Sequence, residues 1–341
     1  MSHPHPDRRA VLRALGAAGL VLRGSILGLL GCGGEKDTGA AGEKLYFAVI
    51  TDPHVRTDPK HSNNLTLAQT LAILEGLPVP VAFAVLTGDL LDELPSDDPA
   101  YYEKHPESSL QLLVEILGGS ALPVHAVLGN HDYYTDDGGL KNGVTEDKPA
   151  REALLCGKLG LPGPWYRFDR GGVAFYALNT MQQDPAATWA PDSCGSFGPE
   201  QLAWLEDQLA DGVPAFLFFH HPLALDCADE AGAVQFLPFE VPRAEGAYEK
   251  YEGTEYEGWT DPIYELLRRH AGQILAAFVG HGHWFVRDVY EGIQVLEGDS
   301  IGNSLQRTEH EGEPMRYHVV ECDLRAGTFA IWNEDWIVYD T

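Results

Sequence analysis

Histidine, aspartate and asparagine recur in this chain at the far ends of apolar runs, in groupings that suit metal ligation. Gly129-Asn130-His131-Asp132 follows Leu122–Leu128, Asp52-Pro53-His54 follows Leu45–Ile50, and Gly88-Asp89 follows Ala82–Leu86. Further along, His220-His221-Pro222 follows Ala215–Phe219 and Gly280-His281-Gly282-His283 follows Ile274–Val279. A short apolar run closed by such residues reads as a buried strand delivering its last side chains to a sheet edge. In open α/β sheets, ligands bind at the carboxyl ends of strands. Carboxylate, amide oxygen and imidazole together suit zinc, manganese or iron and disfavour copper(I). One ion takes three or four protein ligands. The seven candidates Asp52, His54, Asp89, Asn130, His220, His281 and His283 therefore argue for two ions, with one carboxylate bridging them. Two cations about 3.5–4 Å apart clamp the attacking and leaving oxygens of an in-line displacement at phosphorus and supply hydroxide near neutral pH.

The elements that must position these groups alternate. Strands ending at Asp52, Asp89 and Asn130 are separated by helices expected over Asn63–Glu75 and from about Tyr101 to Leu117, with leucines at helical spacing. A long polar loop is expected from Tyr133 to Pro149. A strand Val173–Leu178, a helix opened by Gly198-Pro199 and the strand to His220 follow, the proline sitting early in its helix. Residues 223–260 are rich in acids and aromatics without a clean period, and directly follow one ligand strand; they read as an insertion covering the site. A helix capped by Thr260-Asp261-Pro262 leads to the strand before His281, and three closing strands are expected near Val286–Leu296, Tyr317–Leu324 and Thr328–Tyr339. Alternation followed by a β-rich end favours an α/β fold of two packed mixed sheets flanked by helices, a four-layer α/β/β/α sandwich with the metal site on its strand C-terminal rim.

The net charge of −28 speaks against a nucleic-acid partner, because phosphate backbones are held by lysine and arginine. Of the 23 basic and 51 acidic residues, four and one lie in residues 1–31, leaving 19 against 50 in the remainder. That first segment places Arg8-Arg9 before an apolar stretch through Leu30 and ends at Gly31-Cys32, ahead of a polar, glycine-rich linker over residues 32–43. It resembles a twin-arginine signal peptide closed by a bacterial lipobox, which implies export, a lipid on Cys32 and a periplasmic or cell-surface, membrane-tethered protein. The folded domain is then expected over residues 44–341. No cysteine lies in a C-x-x-C pair. Export would permit disulfides, and Cys194 with Cys227, both in loop-like sequence, is the expected pair, with Cys156 and Cys322 remaining.

Asp52-x-His54, Gly88-Asp89-x-x-Asp92, Gly129-Asn130-His131-Asp132, His220 before His221-Pro222, and Gly280-His281-x-His283 together resemble the calcineurin-like metallophosphoesterase superfamily, in its order, over residues 45–284. The wording around Gly198–Leu205 and Phe218–Pro222 is similar to its purple acid phosphatase and class III cyclic-nucleotide phosphodiesterase branch. The resemblance implies one metal on Asp52, His54 and His283, a second on Asn130, His220 and His281, and Asp89 as the bridge. It implies that His131 lies beside the phosphate, stabilising the transition state or protonating the leaving group, with Asp92 orienting it. The iron-binding tyrosine of purple acid phosphatases is an aspartate here, so the metals stay open among iron, manganese and zinc. The substrate implied is a small phosphate mono- or diester. Alternatives are a cyclic-nucleotide or phospholipid-type phosphodiesterase, and a surface lipoprotein that holds metal without turnover. His221 flanks its neighbour as a substrate contact or a bystander, His125 reads as a packed core residue, and Asn179 as a second hydrogen-bonding residue on the rim. No arginine or lysine cluster accompanies the motifs, which assigns charge neutralisation mainly to the metals.

Overall fold

The apolar runs form strands because β-branched and aromatic side chains fill both faces of a sheet buried on each side. The computed structural model describes residues 44–135, 145–182, 195–222, 262–283, 286–298, 300–302, 315–333 and 336–337. The signal segment 1–31, the linker 32–43, the insertion 223–260 and the Cys194–Cys227 pair lie outside the described residues.

One sheet has the order β12-β11-β1-β2-β3, with β1 Lys44–Ile50, β2 Val81–Thr87, β3 Val124–Val127, β11 His318–Asp323 and β12 Thr328–Asn333. β1, β2 and β3 run parallel, while β11 pairs antiparallel with both β1 and β12. The other sheet has the order β4-β5-β6-β7-β9-β8, with β4 Tyr166–Arg170, β5 Val173–Ala177, β6 Ala215–Phe218, β7 Ile274–Val279, β8 Val286–Tyr290 and β9 Ile293–Glu297. Its interior pairs are parallel and its two outermost pairs antiparallel. Both sheets are therefore mixed, as expected.

Three apolar layers account for the stacking. Between the sheets, Phe47 and Phe83 of the first meet Phe175, Phe216, Phe218 and Phe278 of the second, with Phe47 centroids 5.1–6.1 Å from each of these five rings. The first sheet's other face packs on α1 (Ser62–Glu75) through Leu67, Leu71 and Leu74, on α3 (Ser109–Gly118) through Leu110 and Leu113, and on α4 (Lys148–Leu159) through Leu154 and Leu155. The second sheet's other face packs on α5 (Gly198–Leu209) through Leu205 and Leu209, and on α6 (Pro262–His270) through Ile263, Leu266 and Leu267. The result is the α/β/β/α sandwich.

Local boundaries differ from expectation where punctuation outweighs periodicity. The helix expected over Tyr101–Leu117 is two, α2 (Pro99–Lys104) and α3, because Pro106 interrupts it and Ser108 opens the second by accepting the Gln111 amide. The single strand expected over Val286–Leu296 is the hairpin β8–β9, turned by Glu291 and Gly292, both at positive φ. The polar loop ends early: Asp147 caps α4 through the Ala150 amide, with proline in its first turn. A small antiparallel pair, β10 (Met315–Arg316) with β13 (Trp336–Ile337), stands apart from both sheets. No described helix is long and apolar enough to cross a membrane.

Candidate metal centre

The residues that follow β1, β2, β3, β6 and β7 converge. Asp52 Oδ1 lies 3.3 Å from His283 Nε2 and 4.0 Å from His54 Nε2, and the two imidazole nitrogens are 3.2 Å apart. Asp89 faces both ways, with Oδ2 3.5 Å from His54 Nε2 and Oδ1 3.2 Å from His220 Nε2. Asn130 Oδ1 lies 2.8 Å from His220 Nε2 and 3.0 Å from His281 Nδ1. Two donor sets result, Asp52-His54-Asp89-His283 and Asp89-His220-His281, each with its atoms within 4.8 Å of one another and sharing Asp89. Carboxylate and imidazole donors crowded this closely are what divalent cations require. The donor set fits two such ions.

The backbone is bent to achieve this. Asp52 (φ 51°), His54 (43°), Asp89 (47°), His281 (75°) and His283 (59°) all occupy the left-handed region. The conformation costs a non-glycine residue about 1–2 kcal/mol, and strain of this kind collects at functional sites. Close approach adds a second constraint. A Cβ on Gly129 would overlap the Asp89 amide and carboxylate, and one on Gly280 would overlap the Thr51 hydroxyl and Asp52. Glycine precedes Asn130 and His281 because nothing larger lets the loops touch.

Hydrogen bonds from outside the set fix the donors. His220 Nδ1–H donates to the Thr87 carbonyl at 2.9 Å, which aims Nε2 at Asp89. The Asn130 amide donates to Tyr134 OH at 3.0 Å, which turns its oxygen toward the histidines. Thr51 donates to Asp52, and the His281 amide reaches both Asp52 oxygens at 3.2 Å. Burial pushes the Asp52 and Asp89 carboxyls up, but facing histidines, His283 for Asp52 and His220 for Asp89, pull both below the ordinary carboxylate value. Burial pushes His220 down and Asp89 outweighs it, raising the imidazole to about 9. Burial lowers His54 to about 3 and holds His281 well below its ordinary value, so both rings are neutral and fit to ligate.

His131 stands edge-on to His54, with centroids 4.5 Å apart, and its amide donates to Asp89 at 2.9 Å. Its Nδ1–H is held at 3.0 Å by the backbone carbonyl of Asp92, while the Asp92 carboxylate accepts from Arg56 Nη2 at 2.9 Å. His221 lies in neither donor set; its Nδ1 is 2.7 Å from Thr180 Oγ1 and its ring 4.4 Å from that of His281. Asn179 bonds Tyr133 OH and Glu152 rather than a ligand. His125 stacks on Phe168 at 3.6 Å, within the sheet packing.

Asp132, the last residue of the Gly129–Asp132 motif, and Arg151, which no motif announces, carry structural weight. Buried Asp132 accepts the Gly129 amide at 2.8 Å and the Leu91 amide at 3.0 Å, tying the turns after β3 and β2 together. Burial, with Asp89 nearby, raises its carboxyl to about 7. Arg151 is fully buried and donates to the carbonyls of Asp132 and Tyr134, each at 3.1 Å, and to Asp97. Arg56 was equally unannounced, a lone cation two residues beyond a ligand.

Carboxylate–histidine donor sets on the shared rim of two packed mixed sheets define the metallophosphoesterase type of sandwich. The sequence matches the calcineurin-like phosphoesterase family over residues 45–285, well over half its length, and the chain belongs to that family. Its fold is similar to that of a Staphylococcus aureus protein described as a 5'-nucleotidase, with 16% identity and a TM-score of 0.50 over 88% of this chain and 55% of the other. This chain thus spans about half the length of that protein. It is also similar to phosphopantetheinyl hydrolase of Mycobacterium tuberculosis, with 15% identity and a TM-score of 0.42 over 79% of this chain and 94% of the other. None of the curated proteins matches the sequence.

Proposed function

We propose that this chain is a dinuclear metal-dependent phosphoesterase that hydrolyses a small phosphate mono- or diester. The observation that carries the reading is Asp89, whose two oxygens face separate donor sets 3.2 and 3.5 Å away. Asp52, His54 and His283 would hold one cation, Asn130, His220 and His281 the other, and Asp89 both. Bound there, the pair supplies Lewis acidity toward a phosphoryl oxygen and an activated water. The chain's own part is positioning and proton delivery. With Nδ1–H engaged by the Asp92 carbonyl, His131 presents Nε2 as the atom able to give a proton to a departing alkoxide. Arg56 is partly neutralised by Asp92, which leaves phosphate charge chiefly to the metals.

The test uses protein loaded in turn with manganese, zinc and iron, assayed on p-nitrophenyl phosphate and its bis-ester. His131→Ala should lower turnover about 10²–10⁴-fold with two ions retained, and Asn130→Ala should lose both turnover and metal. Equal rates in wild type and both variants would defeat the reading. We also propose that the chain is exported and held at a membrane by a lipid on Cys32, supported by Arg8-Arg9, the apolar stretch and Gly31-Cys32. Recovery of unlipidated protein from the cytoplasm of fractionated cells would oppose it.

A further inference from the structure

Asp92 faces two histidines with different parts of itself. Its backbone carbonyl accepts the His131 Nδ1–H at 3.0 Å. The carboxylate Oδ1 instead takes the Arg56 hydrogen bond at 2.9 Å and lies 3.8 Å from Nδ1 of His54. His54 is 2% exposed; its Nε2 points into the first donor set, and its Nδ1 is buried without a hydrogen-bond partner among the described residues. A neutral imidazole that gives one nitrogen's lone pair to a cation carries its proton on the other, and that buried N–H then requires an acceptor. Asp92 Oδ1 stands about 1 Å beyond ordinary N–H···O reach. The backbones are already joined around it. The His54 amide donates to the Asp89 carbonyl at 2.9 Å, the Val55 amide to Leu90 at 3.0 Å and the Asp92 amide to Val55 at 3.2 Å, so side-chain adjustment alone closes the gap.

We infer that Asp92 is a positioning residue for the metal ligand His54: its carboxylate accepts His54 Nδ1–H and thereby sets the affinity of the Asp52-His54-Asp89-His283 site for a divalent cation, with Arg56 holding the carboxylate in place. This rests on the reading of those four residues as a metal site. His54, Asp92 and His131 also group closely enough to suggest a third cation. The Arg56 guanidinium occupies that role, since a further cation would sit beside a fixed positive charge on the same carboxylate.

Full-length, metal-stripped protein titrated with Zn²⁺ against a chromophoric chelator separates the cases, because stoichiometry and stepwise affinity need no turnover. Wild type should take up two ions. Asp92→Ala should weaken one step by about 10–100-fold and leave the other within about twofold. The isosteric Asp92→Asn, whose amide oxygen still accepts, should fall between, and it carries the test if the alanine variant fails to fold. Turnover lost by Asp92→Ala should return at saturating metal. Unchanged affinities in both variants, a turnover defect that persists at saturation, or three ions per chain would each overturn the inference while leaving the metal site intact. Wild type that takes up no ion would overturn the metal site itself.

Discussion

At the scale of single residues, the centre is a set of groups held in states they would not choose in water. His220 shows this most clearly. Its ring is buried, a circumstance that alone would keep it neutral, yet Asp89 at 3.2 Å raises it to about 9 in the metal-free protein. The sign follows from that direction. The His220–Asp89 pair stabilises the metal-free fold fully below the unfolded imidazole value near 6.5 and ceases to do so as pH rises through about 9. A cation competes with that proton for Nε2, so ligation must expel it. Asp52 and Asp89, held below the ordinary carboxylate value, are already ionised at neutral pH and release nothing. Metal uptake at pH 7.5 should therefore liberate at least about one proton per chain, and affinity should climb with pH until it levels near 9. Calorimetric titration in two buffers of different ionisation enthalpy reads the proton count directly. A count of zero would show that metal does not displace the His220 proton.

At the scale of elements, the strand ends carry ligands and the helices decide how firmly the turns between them are held. Helix α4 is the clearest case. It inserts the fully buried Arg151 beneath the His131 turn, where the guanidinium meets two carbonyls and Asp97. Arg151→Met would take a charged donor from both carbonyls and from a partly buried carboxylate, although Tyr134 keeps the Leu94 amide at 3.0 Å and Asp97 keeps the Thr145 hydroxyl. We expect a loss of about 3 kcal/mol, the low end for breaking a buried pair because Asp97 keeps some solvent, measured as a fall in the urea midpoint at constant slope. A loss under about 0.5 kcal/mol would mean that the turn is held without Arg151. This helix was also the element least legible in the sequence. Its apolar period is diluted by a buried arginine and by Cys156-Gly157, although Asp147 and Pro149 spelled out a helix start. Strand β4 escaped for a related reason. It is an edge strand in which Arg167 and Asp169 pair with each other, so charge hides its period. The ligand strands were legible because each is an unbroken apolar run ending in a polar residue, a pattern that burial on both faces produces directly. What could not be read there was the orientation of Asp92, since whether a carbonyl or a carboxylate meets His131 is decided by loop geometry rather than residue type.

At the scale of the molecule, the two sheets meet in the phenylalanine layer and again at the metal centre. β1, β2 and β3 of one sheet deliver Asp52, His54, Asp89 and Asn130, while β6 and β7 of the other deliver His220, His281 and His283. Each donor set draws on both sheets: His283 completes the first, and His220 and His281 accompany Asp89 in the second. Neither set exists until the sheets have packed, so an unfolded chain offers a cation no comparable site, and binding energy becomes folding energy. Two ions each present at a hundredfold excess over their dissociation constants would add about 5 kcal/mol, from about 2.7 kcal/mol per site. For a chain of this size that corresponds to a rise in Tm of about 10 °C. Differential scanning calorimetry of protein stripped with chelator and then reloaded with manganese or zinc should show a rise of that order. Asp89→Asn, which weakens the one carboxylate common to both sets, should abolish most of it. Substitution of Glu291, at positive φ in the β8–β9 turn and in neither donor set, should leave the metal-dependent rise intact whatever it does to the baseline Tm. A melting temperature indifferent to metal in the wild type would mean that the rim holds no ion tightly enough to join the sheets.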